Sequence, residues 1–103
     1  MKLKALIKQC IGIECDERFL EVVYAELKNG IFTENSEAII LKLDEGEHEL
    51  KTIIISEKYC PGKAYFLEVV FMQEMLNGIN RDSSEAEIDE RINTIIKYVE
   101  HDA

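Results

Sequence analysis

The segment from Leu3 to Ile40 is written a second time, from Leu50 to Ile88. Displacing the chain on itself by 47 positions sets Leu3-Lys4 over Leu50-Lys51, Ile7 over Ile54, and Phe19-Leu20-Glu21-Val22-Val23 over Phe66-Leu67-Glu68-Val69-Val70. One inserted residue then moves the register to 48. Asn29-Gly30-Ile31 meets Asn77-Gly78-Ile79, Ser36-Glu37-Ala38 meets Ser84-Glu85-Ala86, and Ile40 meets Ile88. Self-similarity at such a period marks a supersecondary unit used twice, each copy too small to bury its own apolar side. At 103 residues and 47% hydrophobic content the chain can build one shared core and not two. A single domain over 1–103 follows, with a first repeat at 2–46 and a second at 49–101.

Each copy reads as strand, helix, turn, helix. Lys2 to Gln9 alternates, with Leu3, Ala5 and Ile7 on one side and Lys2, Lys4 and Lys8 on the other. Leu50 to Ser56 is its counterpart, with Leu50, Thr52 and Ile54 on the inner side and Lys51, Ile53 and Ile55 outward, and the β-branched run Thr52-Ile53-Ile54-Ile55 favours a strand. Asp16 to Asn29 carries an N-cap candidate in Asp16 and a helical stripe of Phe19, Leu20, Val23, Tyr24 and Leu27. Asn29-Gly30 would stop it. Lys63 to Asn77 repeats the pattern, entered through Cys60-Pro61-Gly62 and stopped by Asn77-Gly78. Second helices start at Ser36, ending near Leu43, and at Ser84, where Glu87 completes a capping box. The clearest helix in the chain follows Ser84, with Ile88, Ile92, Ile95, Ile96 and Val99 on one face. The expected fold is mixed α/β and mostly α: tandem β-α-α units about an internal two-fold axis, joined through a two-stranded antiparallel ribbon. A competing reading makes Ala38 to Leu43, Glu49 to Ser56 and Ala64 to Met72 a three-stranded antiparallel meander.

The net charge of −9 is unevenly spread. Lys2, Lys4 and Lys8 give the opening +3, Leu50 to Lys63 carries +2, and everything else carries −14. An acidic balance points toward solubility or a basic protein partner. Three cysteines, Cys10, Cys15 and Cys60, make neither a disulfide framework nor zinc-ligand spacing, so they read as reduced thiols. No stretch resembles a signal peptide or a membrane span, which leads to the expectation of a cytoplasmic protein without membrane contact. His48 sits in an acidic turn and His101 near the end, neither beside groups that suggest metal or catalysis. With no phosphate loop, nucleophile elbow or His-Cys arrangement, neither an enzyme nor a cofactor is expected.

Leu27-Lys28-Asn29-Gly30-Ile31-Phe32 followed by Asn35-Ser36-Glu37-Ala38-Ile39 resembles the turn between helices of the ribbon-helix-helix family of DNA-binding proteins, as more weakly does Asn77-Gly78-Ile79 followed by Ser83-Ser84-Glu85-Ala86. The resemblance implies a ribbon that enters the major groove and a second helix whose start grips a phosphate. Lys4, Leu6, Lys8, Lys51, Ile53 and Ile55 would then face double-stranded operator DNA, and Lys2, Asn35, Ser36, Ser83 and Ser84 would contact phosphates. The protein would be a transcriptional regulator, a monomeric pseudo-dimer or a homodimer. The lysines at the start also read as a solvated edge. A second reading keeps the repeat as a platform for protein binding. Leu6, Ile53 and Ile55 give the outer face an apolar character, and the acidic surface suits a basic partner, as in an inhibitor, immunity or anti-defence protein.

Overall fold

A computed structural model describes residues 1–12 and 19–102. The elements run α1 (Leu3–Gln9), β1 (Leu20–Glu26), β2 (Ala38–Leu43), α2 (Glu45–His48), α3 (Thr52–Tyr59), β3 (Lys63–Glu68), α4 (Val69–Met75) and α5 (Glu85–Asp102). The strands form one antiparallel sheet in the order β2-β1-β3. Mixed α/β is therefore the class, but the tandem β-α-α unit and its two-stranded ribbon are not the architecture. Neither is the meander in its expected form, since only two of its three segments overlap strands and the middle strand of the sheet is β1.

The reason lies in which period the apolar residues follow. In α1 the buried residues are Leu3, Leu6, Ile7 and Cys10, a helical spacing, while Ala5 of the expected strand faces solvent. Its first N–H groups have no side-chain cap; those of Leu3 and Lys4 donate instead to the carbonyls of Ser36 (2.8 Å) and Glu34 (3.0 Å). The segment expected as helix from Asp16 to Asn29 holds β1 instead, and Asp16 falls outside the described residues. β1 is central, so Val22, Val23, Tyr24 and Ala25 are all buried, and a continuous apolar run needs no alternation.

Asn29-Gly30 does not stop a helix. Asn29 (φ 55) and Gly30 (φ 80) both lie in the left-handed region, and Lys28 and Ile31 exchange backbone hydrogen bonds across them. This is the two-residue hairpin turn that Asn-Gly favours, and it sends the chain back into β2, where a helix from Ser36 was expected. In the second copy Asn77-Gly78 does end a helix, with Gly78 at φ 87. Lys63 to Asn77 is not one helix but β3 followed directly by α4. The shared Phe-Leu-Glu-Val-Val is thus divided differently in each copy, lying within or beside β1 in the first and spanning the β3–α4 junction in the second.

Two apolar layers flank the sheet, because successive β1 residues point to opposite faces. Val23 and Ala25 face the larger layer, built with Leu3 and Ile7 of α1, Met72 of α4, and Ile92 and Ile95 of α5, with Phe32 set edge-on to Phe66 at 5.0 Å. The long helix is the one foreseen: Ile88, Ile92, Ile95, Ile96 and Val99 are buried, and the Ser84 hydroxyl accepts from the Glu87 N–H at 3.2 Å. Arg91 of α5 donates to the carbonyls of Met75 and Asn77, both at 2.8 Å, which satisfies the end of α4. Val22 and Tyr24 face the smaller layer, with Leu43, Ile55 and Cys60.

Candidate functional site

The two halves of the expected reading face fall on opposite sides of the sheet. Lys2, Lys4, Leu6 and Lys8 belong to α1 or its entry, on the larger layer; Lys51, Ile53 and Ile55 belong to α3 or its entry, on the smaller one. Lys8 pairs with Glu85 of α5 at 2.9 Å, and the Lys4 ammonium stands 3.1 Å from Oδ1 of Asp89. That oxygen meets no hydrogen bond of good direction. Asp89, through its side chain first, holds the Lys4 ammonium above its ordinary range. Leu6 and Ile55 are buried, as is Ser36, whose hydroxyl accepts from the Thr33 N–H at 3.0 Å. Ser83 accepts from the Asn80 N–H at 3.0 Å and Ser84 caps α5, so both hydroxyls serve local turns. Asn35 and Lys2 are exposed, and Lys2 pairs its backbone with Glu37.

Helix α3 is unusual in being apolar on two opposite sides. Inward, Ile55 and Ser56 lie against the sheet, one turn from Thr52 and Tyr59. The Thr52 carbonyl accepts from the Tyr24 hydroxyl at 3.3 Å. The Ser56 hydroxyl donates to the carbonyl of Lys63, with the Cys60 carbonyl 3.3 Å away, tying the helix to the start of β3. Burial pushes the Cys60 thiol and the Tyr24 hydroxyl up, each staying protonated well past neutrality. Cys60 packs in the smaller layer with Val22, Tyr24, Leu43 and Ile55.

Outward, Ile53, Ile54 and Glu57 share one face of the helix, with Leu50 two residues before its first turn, and the three apolar ones are 39% (Leu50), 60% (Ile53) and 45% (Ile54) exposed. A helix apolar all round normally has a neighbour on each side. Here the outer side has none among the described residues. Glu49 and Glu57 bound the stripe at its ends, and over 44–59 five acids (Asp44, Glu45, Glu47, Glu49, Glu57) outnumber Lys51 and Lys58. Lys58 is already engaged, 3.1 Å from Glu47, which also accepts from the Tyr59 hydroxyl. That hydroxyl first, then Lys58, holds the Glu47 carboxyl below its usual range.

Sequence reasoning placed Ile53 on an outer face but turned Leu50 and Ile54 inward, because it took the segment for a strand. The spacing 53, 54, 57 is the signal that finds the helical part of the stripe, and Leu50 precedes the helix. Among the described residues no group of three or more His, Cys, Asp or Glu side chains is placed to hold a metal ion. None of their helices is long and apolar enough to cross a membrane. Against known proteins, no family model, no curated protein and no solved structure matches the chain.

Proposed function

We propose that this chain is a small acidic protein-binding module that docks a basic partner on the outer face of α3. The observation that carries this is the exposed Leu50-Ile53-Ile54 stripe bounded by Glu49 and Glu57. Covering these three side chains is worth about 1 kcal/mol apiece, since each is roughly half exposed already. The surplus acids around them favour a partner whose rim carries Lys or Arg, and disfavour an acidic competitor. Helix-in-groove or helix-on-helix docking fits a stripe spaced by single turns.

The reading for nucleic acid would need a basic surface, and the two lysines on α1 have Asp89 and Glu85 as their nearest opposite charges. A photo-crosslinking residue at Ile53, with the same residue at exposed Thr94 of α5 as control, tests the proposal in cells that make the full chain. A discrete adduct with a basic protein from position 53 alone is the expected result. Identical adducts from both positions, or none, would overturn it. Duplex DNA binding that is lost with Lys4→Ala and Lys8→Ala but kept with Ile53→Lys would restore the reading as a DNA-binding regulator.

A further inference from the structure

We infer that β2 is the seam of a homodimer, in which a second copy of this chain lays its own β2 antiparallel along the outer edge and doubles the three-stranded sheet. This surface is separate from the outer face of α3, and the inference stands independently of that face. β2 is an edge strand, and its backbone groups alternate between the neighbouring strand and the outside. Glu37 turns its carbonyl to β1, accepting from the Glu26 N–H at 2.8 Å; Ala38 turns its N–H outward, donating to the Met1 carbonyl at 2.7 Å. The same alternation sends the N–H and C=O groups of Ile40 and Lys42 outward, where no described residue meets them. Around them runs Ala-Ile-Ile-Leu-Lys-Leu, with no proline, no glycine and a single charge. Such an edge is a template for another strand. Ile39 remains 39% exposed beside half-buried Leu41.

Charge selects a second copy as the occupant. At its start β2 adjoins three cations, the Met1 ammonium, Lys2 and Lys63 of the adjoining groove, against the one carboxylate of Glu37, which the Met1 ammonium pairs at 3.0 Å. At its finish stand Asp44 and Glu45. An antiparallel copy sets each acidic finish on the other's basic start, twice, whereas a parallel copy would set like on like. With the two-fold axis at Leu41, Ile40 of each chain lies opposite Lys42 of the other and four backbone hydrogen bonds form. Ile39 then faces the second copy's Leu43, and Leu41 meets its own image. Pairing stops at Ala38, whose N–H Met1 has taken, at the point where the second copy leaves its strand for α2. A groove of about 490 Å³ lies at that end, where Leu6, Ala38 and Ile40 give it apolar walls and Lys63 and the Met1 ammonium stand beside Glu37, and it can receive the turn.

Sedimentation equilibrium on the full chain tests this. A species of twice the 11.9 kDa chain mass is expected. Lys42→Pro removes the outward N–H, together with an exposed ammonium 3.9 Å from Glu21, and should weaken the dimer roughly tenfold or more, whereas Lys42→Ala, which keeps the N–H, should not. Leu41→Lys brings two ammonium groups together on the axis and should leave the monomer alone, whereas Ile53→Lys should leave the dimer intact. A monomer at every concentration overturns the inference, as does a dimer that neither Lys42→Pro nor Leu41→Lys weakens. Hydrogen exchange on the unaltered chain covers the case in which a variant does not fold. The Ile40 and Lys42 amides should gain protection as concentration rises, and fast exchange where the mass is already doubled would overturn the seam.

Discussion

The two sides of the sheet are built to different depths. One is covered by α1, α4 and α5, and Leu3, Ile7, Met72, Ile92 and Ile95 lie fully inside it. Among the described residues, the other is covered by the eight-residue α3, which with the Cys60 that follows it buries Ile55 against Val22, Tyr24 and Leu43 and presents a second apolar face to solvent. A deep layer supports the fold, while a thin layer one helix deep with an apolar back is where the proposed partner would add to the core. The difference teaches where to look for a partner: not where the protein is already thick.

Truncations separate the sides most strongly. Ile95→Ala in the deep layer should cost about 3–4 kcal/mol of unfolding free energy in urea titrations. Ile55→Ala should cost nearer 2 kcal/mol, because a helix open to solvent on its far side can settle into the space left. Equal losses would erase the distinction. Ser56→Ala comes next. It strands the Lys63 carbonyl near a buried helix end and should cost about 1–2 kcal/mol, with near-normal secondary structure by circular dichroism.

Alkali should loosen the thin side first. Burial raises the folded values of Cys60 and Tyr24 above their usual 9.0 and 10.0, so the unfolded chain gives up those protons sooner. Their contribution is complete below about pH 9 and is lost as pH rises through the folded values. Tyr24→Phe should flatten the part of that fall which begins near pH 10, at the cost of the hydrogen bond to Thr52. In acid the direction reverses for Glu47, whose lowered carboxyl supports the α2–α3 contact above its ordinary 4.5. That support disappears as pH drops through the folded value, and Tyr59→Phe should remove most of the dependence. The smallest change in stability belongs to Ile53→Ser, within about 0.5 kcal/mol, because the side chain already faces water.

How much of this was legible in the sequence depended on what each segment buries. The stripe of α5 follows one period over the twelve residues from Ile88 to Val99, and the sequence shows it down to the Ser84 cap. Short segments carry two periods at once. Leu3, Leu6, Ile7 and Cys10 fit a helix, while Leu3, Ala5 and Ile7 fit a strand; burial chose the first. β-branching at Ile53, Ile54 and Ile55 argued for a strand, and packing on the sheet overruled it. Asn-Gly carried two meanings, a hairpin after β1 and a helix stop after α4, which only the flanking elements resolve. The letters repeat but the fold does not: both copies open with a helix, α1 and α3, and then part, with β1 aligned to the β3–α4 junction and β2 to the start of α5. The docking stripe was half visible, since Ile53 was placed outward, but its companions Leu50 and Ile54 emerge only once the helix is known.

The most direct measurement is the crosslinking comparison between positions 53 and 94 in cells that make the full chain. A docking face on the thin side predicts one discrete adduct from position 53, with a basic protein, abolished by Leu50→Lys in the same chain while circular dichroism stays unchanged. Matching adducts from both positions, or an adduct from position 53 that contains only a second copy of this chain, would contradict it.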